Sequence, residues 1–250
     1  QGSLFSCEPA KRQIFRYVPK AESAGYQLDR EVFLHRHGTD RMAGAFSDIL
    51  VSTDGALYVA DWYDPMVGGH GAADREHIGK IYRVAPKGFK PGRVKLNTAG
   101  DMLASSAHNV RFHGFRKFKK QGSSALPQVK QFLNHSNPWI AARAIWLLPH
   151  LGEEGIAELR KFAESNAGKD YRFRAAALRS ALRFDKEGLG WSMIKQLQDD
   201  SSAHVRRAIL THLRDFSYEK KKGVLLNLVL AGPLADRTYC LLYTSPSPRD

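Results

Sequence analysis

The side chains best suited to chemistry crowd onto one glycine-rich stretch, Tyr63 to Gly79, which holds Asp64, His70, Asp74, Arg75, Glu76 and His77. Carboxylates beside imidazoles suit two kinds of work. One is coordination of a divalent ion; the other is proton transfer, with an aspartate orienting a histidine that acts as general base. The separation of His70 and His77 matches no established ligand spacing, so no metal is assigned. A long loop whose polar side chains satisfy its own backbone is the plainer alternative. A second polar cluster, His35-Arg36-His37-Gly38-Thr39-Asp40-Arg41, offers a cation for an anionic group but reads more simply as a solvated loop. Searches for other chemistry come back empty. There is no Gly-x-Gly-x-x-Gly, Walker loop, Gly-x-Ser-x-Gly elbow or His-Glu-x-x-His, the usual signals of nucleotide-dependent, hydrolase and zincin chemistry.

Loops of this kind need a rigid support, and the first half of the chain contains a strand repeat that can supply one. Leu4-Phe5-Ser6-Cys7-Glu8 lines up with Leu57-Tyr58-Val59-Ala60-Asp61, and Gln13-Ile14-Phe15-Arg16 with Lys80-Ile81-Tyr82-Arg83. The offset grows from 53 to 67 between the two strands, which places 14 extra residues in the Tyr63 stretch. Asp54-Gly55 marks a tight turn between the Phe46 and Leu57 runs. Turn, strand and answering strand, repeated, predict neighbouring blades of a β-propeller, of about 40 to 45 residues each in the commonest types. On this alignment Cys7 takes the place of Ala60 and reads as a small core residue.

The second half changes period. Arg111, Arg143, Arg174 and Arg206 follow one another at intervals of 32, 31 and 32, each opening an apolar run at helical spacing, with partner helices between. That period marks a helical solenoid. Asp199-Asp200-Ser-Ser-Ala-His-Val205-Arg206-Arg-Ala208 resembles the HEAT-repeat consensus, in which the arginine reaches a carbonyl or carboxylate of the neighbouring repeat. The expected fold is therefore mixed, all-β then all-α: the last blades of a propeller over 1–90, a linker over 91–104, HEAT-like repeats over 105–232, and a tail from 233 to 250. Within that tail Cys240 to Asp250 resembles translated sequencing-adapter sequence and is set aside. The chain reads as a fragment that opens inside a strand, with no signal sequence visible.

The 250 residues carry 38 Lys and Arg against 25 Asp and Glu. The excess is local: residues 105–232 hold 22 basic against 11 acidic side chains. A basic face suits an anionic partner or surface, but no aromatic interleaving or reading motif accompanies it, so nucleic acid is not the expected partner. No apolar run approaches the roughly 18 residues that a spanning helix needs.

Gly55 to Pro65, Val67 to His70 and Gly79 to Pro86 resemble the membrane-bound dehydrogenase family abundant in planctomycetes and verrucomicrobia, whose propeller is similar to quinoprotein glucose dehydrogenases. The resemblance implies HEAT-like repeats after the propeller and, often, a c-type cytochrome domain; no Cys-x-x-Cys-His occurs here. It further implies an exported, periplasmic or envelope-associated oxidoreductase acting on a sugar or alcohol. Pyrroloquinoline quinone and calcium would be its cofactors, and haem c would sit only in a downstream domain absent here. Under it His70 is the candidate general base, and Asp64 and Asp74 are its orienting or metal-contacting carboxylates. Arg41, Arg75 and His77 become substrate or cofactor contacts. The alternative is a non-catalytic scaffold that binds carbohydrate or protein partners, the helical surface included.

Overall fold

A computed structural model describes residues 2–36, 45–63, 79–92, 94–165, 170–232, 236 and 238. Six strands come first: β1 (Leu4–Glu8), β2 (Gln13–Glu22), β3 (Gly25–His35), β4 (Ala45–Val51), β5 (Leu57–Trp62) and β6 (Lys80–Val84). Nine helices follow among the described residues: α1 (Ala99–Ala104), α2 (His108–Gln121), α3 (Leu126–Leu133), α4 (Pro138–Leu147), α5 (Glu153–Ser165), α6 (Tyr171–Phe184), α7 (Trp191–Leu197), α8 (Ala203–Leu213) and α9 (Tyr218–Leu230). The chain divides into two compact units. One comprises residues 1–20, 27–96 and 105–112, and the other residues 21–26, 97–104 and 113–250.

The sheet unit holds two three-stranded antiparallel sheets, ordered β1-β2-β3 and β4-β5-β6. The repeat seen in the sequence is present as a shared hairpin register. Leu4 pairs with Tyr17 and Cys7 with Ile14, just as Leu57 pairs with Val84 and Ala60 with Ile81. Turn chemistry fixes the β4–β5 connection: Gly55 takes φ 91°, and Asp54 accepts the Ala56 amide at 2.9 Å while its other oxygen holds Arg83 at 2.7 Å. Ile14, Phe46 and Val59 form the buried centre, with Phe5, Cys7, Phe33, Leu34, Ile49 and Val84 packed around it.

The expectation of propeller blades followed by a HEAT-like solenoid is overturned. The two hairpins share a register but not a sheet: the third strand joins the second strand of one hairpin (β3 on β2) and the first strand of the other (β4 on β5). Blades repeated around a ring would carry one strand order, and no ring closes here. Nor does an all-α module simply follow an all-β one, because the helical unit includes the β2–β3 turn at residues 21–26. Ala24 of that turn is fully buried in the helical core.

Helix boundaries in the second unit follow from capping. Asn137 accepts the Trp139 amide ahead of Pro138 in the first turn of α4, and Asp170 accepts the Arg172 amide at the start of α6. These side chains satisfy amides that the helix itself leaves open. The helices pack α3 on α4, α4 on α6, α6 on α8 and α8 on α9, around a core that includes Phe118, Ile145, Leu159, Leu178, Leu189 and Ile194. Gly114 allows one close crossing, since a Cβ there would lie 2.5 Å from the Leu103 amide nitrogen.

The periodic arginines are fasteners. Arg143 donates to the Leu103 carbonyl at 2.7 Å. Arg174 grips both carboxylate oxygens of Asp200 at 2.6 and 2.8 Å, and Arg206 donates to the Asp200 carbonyl at 2.5 Å. Arg174 and Asp200 are only 7% and 5% exposed, so this pair sits in the interior, where a guanidinium is tolerated because both partners are satisfied.

Candidate functional site

The residues singled out by the sequence, Arg41, Asp64, His70, Asp74, Arg75 and His77, lie outside the described residues. Their anchors are described. Ala45, which follows the first polar cluster, pairs with Trp62, and Asp61, just ahead of the second, pairs with Lys80 just beyond it. Both chain segments therefore start or finish at the same end of the β4-β5-β6 sheet. Asp61 itself is buried and accepts a hydrogen bond from the Tyr82 hydroxyl at 3.2 Å. Burial and this carboxylate push the Tyr82 phenol above its usual range. Burial, then Asp48, raises the Cys7 thiol, the reverse of what an activated thiolate needs. Among the described residues no group of three His, Cys, Asp or Glu is placed to hold a metal ion, and no helix is long and apolar enough to cross a membrane.

The helical unit offers an open groove of about 620 Å³ between α7 and α9. Its lining includes Trp191, Lys195, Gln198, Lys220, Lys222 and Asn227. Trp191 packs against Phe216 with ring centres 5.0 Å apart. The Lys220 ammonium lies 4.9 Å from the Trp191 ring centre and 5.4 Å from that of Phe216. Gln198 and Asn227 meet across the groove at 3.5 Å. On α9, a Cβ built at Gly223 would meet nothing within 4 Å, so the groove is open above it. Lys220 is drawn to Glu187 and Lys222 to Glu219, whereas exposed Lys195 has no carboxylate partner among the described residues. The Trp191 ring, three lysines and Glu219 at the rim, and two side-chain amides can hold an extended chain that carries carboxylates and an apolar side chain.

A second unusual position is His204, at the start of α8. It is 8% exposed, and neither ring nitrogen has a hydrogen-bond partner among the described residues. Sequence reasoning passed over it, and it passed over the groove as well. The signal available was a histidine two residues ahead of Arg206 where Arg111, Arg143 and Arg174 have Asn109, Ala141 and Arg172; nothing local in the sequence ties Lys220, Lys221 and Lys222 to Trp191. Only packing turns these into sites. Compared with protein-family models, curated proteins and solved structures, the chain finds no match.

Proposed function

We propose that this chain is a binding scaffold without chemistry of its own, and that its helical unit takes up an acidic extended segment of a partner protein in the α7–α9 groove. The supporting observation is the Trp191 ring in the groove, backed by buried Phe216, beside a rim of Lys195, Lys220, Lys222 and Glu219 in which exposed Lys195 has no carboxylate partner among the described residues. The charge of the region agrees, with 22 basic against 11 acidic residues over 105–232. The sugar or alcohol dehydrogenase implied by the family resemblance draws on Asp64, His70 and Asp74, and it competes with this reading.

The test is fluorescence anisotropy with a labelled peptide of alternating Asp and Glu around one leucine. Binding that weakens as salt screens the charges, and about tenfold (about 1.4 kcal/mol) in Lys195→Glu, is expected. The scaffold reading falls if the peptide does not bind and the same protein, given pyrroloquinoline quinone and calcium, reduces a dye at the expense of a sugar or alcohol.

A further inference from the structure

The turn between β2 and β3 is seated on the helices by contacts that leave one titratable group stranded. Ser23 adopts φ 48°, the left-handed conformation that a two-residue hairpin turn calls for. Ala24 is then held through both of its backbone polar groups: its amide donates to Asp236 Oδ2 at 2.7 Å, and its carbonyl accepts from Arg207 Nη1 at 2.6 Å. Two residues on, the Tyr26 ring lies 5.0 Å from the His204 ring. From α6, Tyr171 also stacks on that imidazole, at 5.0 Å and 13°. The Arg207 guanidinium sits 5.7 Å from the Tyr26 ring centre. His204 is thus buried in contact with the seated turn and with α6, and among the described residues no acceptor meets either nitrogen.

The charged groups around it do not favour a further cation. Arg207 on its own helix and Arg179 on α6 both oppose protonation, and Asp236 is the carboxylate that favours it. Asp236 already accepts the Ala24 amide. Asp170, the other nearby acid, is bound by Arg172 at the start of α6. The phenol rings of Tyr26 and Tyr171 give an imidazolium some compensation through their π-faces. Against this stands the larger cost of an ionised group that has lost water and gained no hydrogen bond.

We propose that His204 makes the seating of the hairpin turn Ala21–Tyr26 on α6 and α8 a pH-sensitive latch, closed while the imidazole is neutral and released when it is protonated. Burial, and then Arg207, hold the seated imidazole below its usual value. Once the turn lifts, water reaches the ring and it titrates near its ordinary value of about 6.5. The lifted state therefore binds the proton more tightly. Seating is strongest above about pH 6.5 and weakens as the pH falls through that value towards the lower one of the seated state.

The experiment is amide hydrogen exchange of the full chain at pH 7.5 and 5.5, each rate corrected for the intrinsic pH dependence of exchange, followed over a peptide covering residues 21–26. We expect protection of that segment to fall at the lower pH, by at most about tenfold, because each pH unit below the imidazole's ordinary value weakens seating by up to tenfold, while α4 is unchanged. His204→Phe and His204→Gln, which keep a neutral side chain at both pH values, should hold protection constant. Asp236→Asn should lower it at both pH values and keep the His204-dependent fall. Equal protection at the two pH values in the unaltered protein overturns the latch, and so does an equal fall in the His204 variants. Should those variants fail to fold, an NMR titration of the His204 ring in the unaltered protein decides: a midpoint below 6.5 supports the latch, and one at or above it overturns it.

Discussion

In the sheet unit three side chains, Ile14, Phe46 and Val59, form the buried cluster and six more lean on it, whereas in the helical unit 31 of the described residues bury into one continuous cluster. The difference is visible on the outside as well. Ile81 on the edge strand β6 is 74% exposed, and Leu4, Leu50 and Val51 stand about half in water. A three-stranded sheet buries one face against its neighbour and leaves two edges, while each helix in a stack buries a stripe on both sides. Cross-connections deepen the contrast, because Arg143 and Arg174 tie segments 40 and 26 residues apart in sequence. The helical unit has the larger buried core, and the sheet unit has a thin one, its strands paired by hairpin registers.

The largest effect expected from breaking this contrast is at Asp200. Its carboxylate satisfies Arg174 at two points and the Ser202 amide at 2.8 Å. Removing it as Asp200→Ala takes both carboxylate hydrogen bonds from a buried guanidinium, at a cost of about 3 kcal/mol. Chemical denaturation followed by circular dichroism at the helical wavelengths measures this. A loss below 1 kcal/mol would show that the pair is not a fastener. Next comes Leu178→Ala, expected to cost about 3 kcal/mol because the side chain is fully buried among close-packed neighbours. Ile14→Ala, also fully buried but in a small cluster beside exposed strands, should cost less, since so thin a layer can collapse into the gap. Equal costs at the two positions would erase the distinction between the units.

How much of this was legible in the sequence follows the same divide between local and distant interactions. Hairpin register was readable, because Cys7 opposite Ile14 and Ala60 opposite Ile81 depend on short-range pairing and turn residues. The arginine period placed one arginine in each of α2, α4, α6 and α8, but only Arg143 and Arg174 reach a carbonyl and a carboxylate in another segment; Arg206 bonds the Asp200 carbonyl just ahead of its own helix, and Arg111 meets His108. Strand order was not readable: nothing local in β3 or β4 says which strand of a hairpin it will join. Seating of the β2–β3 turn was equally hidden. Ala21-Glu-Ser-Ala24-Gly-Tyr26 has no apolar pattern, and its burial rests on Arg207 and Asp236, some 180 to 210 residues away. His204 was quoted in the sequence as part of a repeat motif, but its isolation depends on two tyrosines brought in from elsewhere. The catalytic candidates between Asp64 and His77 remain outside the described residues.

A smaller, pH-dependent effect sharpens the comparison from the helical side. His150 is wedged between Phe115 and Phe184, with ring centres 5.1 and 4.5 Å away. Burial, followed by the cations of Lys119 and Arg183, holds its imidazole below the usual value. The unfolded chain then takes up the proton first, so this contribution to stability is complete above about pH 6.5 and declines as the pH drops through that value. Thermal melts at pH 7.5 and 5.5 should show the helical transition lower at pH 5.5. Lys119→Gln, by removing one of the repelling cations, should shrink the gap. A gap that Lys119→Gln leaves untouched would place the pH dependence on other groups.

The smallest expected effect is a pair of glycine substitutions with opposite signs. Gly223 lies inside α9 with open space where a side chain would go, so Gly223→Ala trades backbone entropy for helix propensity and should stabilise by about 0.5–1 kcal/mol. Gly55 lies at φ 91°, and a Cβ there would come within 3.4 Å of the Phe89 ring. Gly55→Ala should therefore destabilise by about 1 kcal/mol or more, because an L-residue resists that conformation. Both follow from differential melting of the two variants, and the first has a second readout. Gly223 also lines the groove, so if an acidic chain runs over it, the added methyl group should weaken peptide binding while the helix gains stability. Stability and binding rising together would mean that the peptide sits elsewhere on the helical surface, and the groove would lose its role.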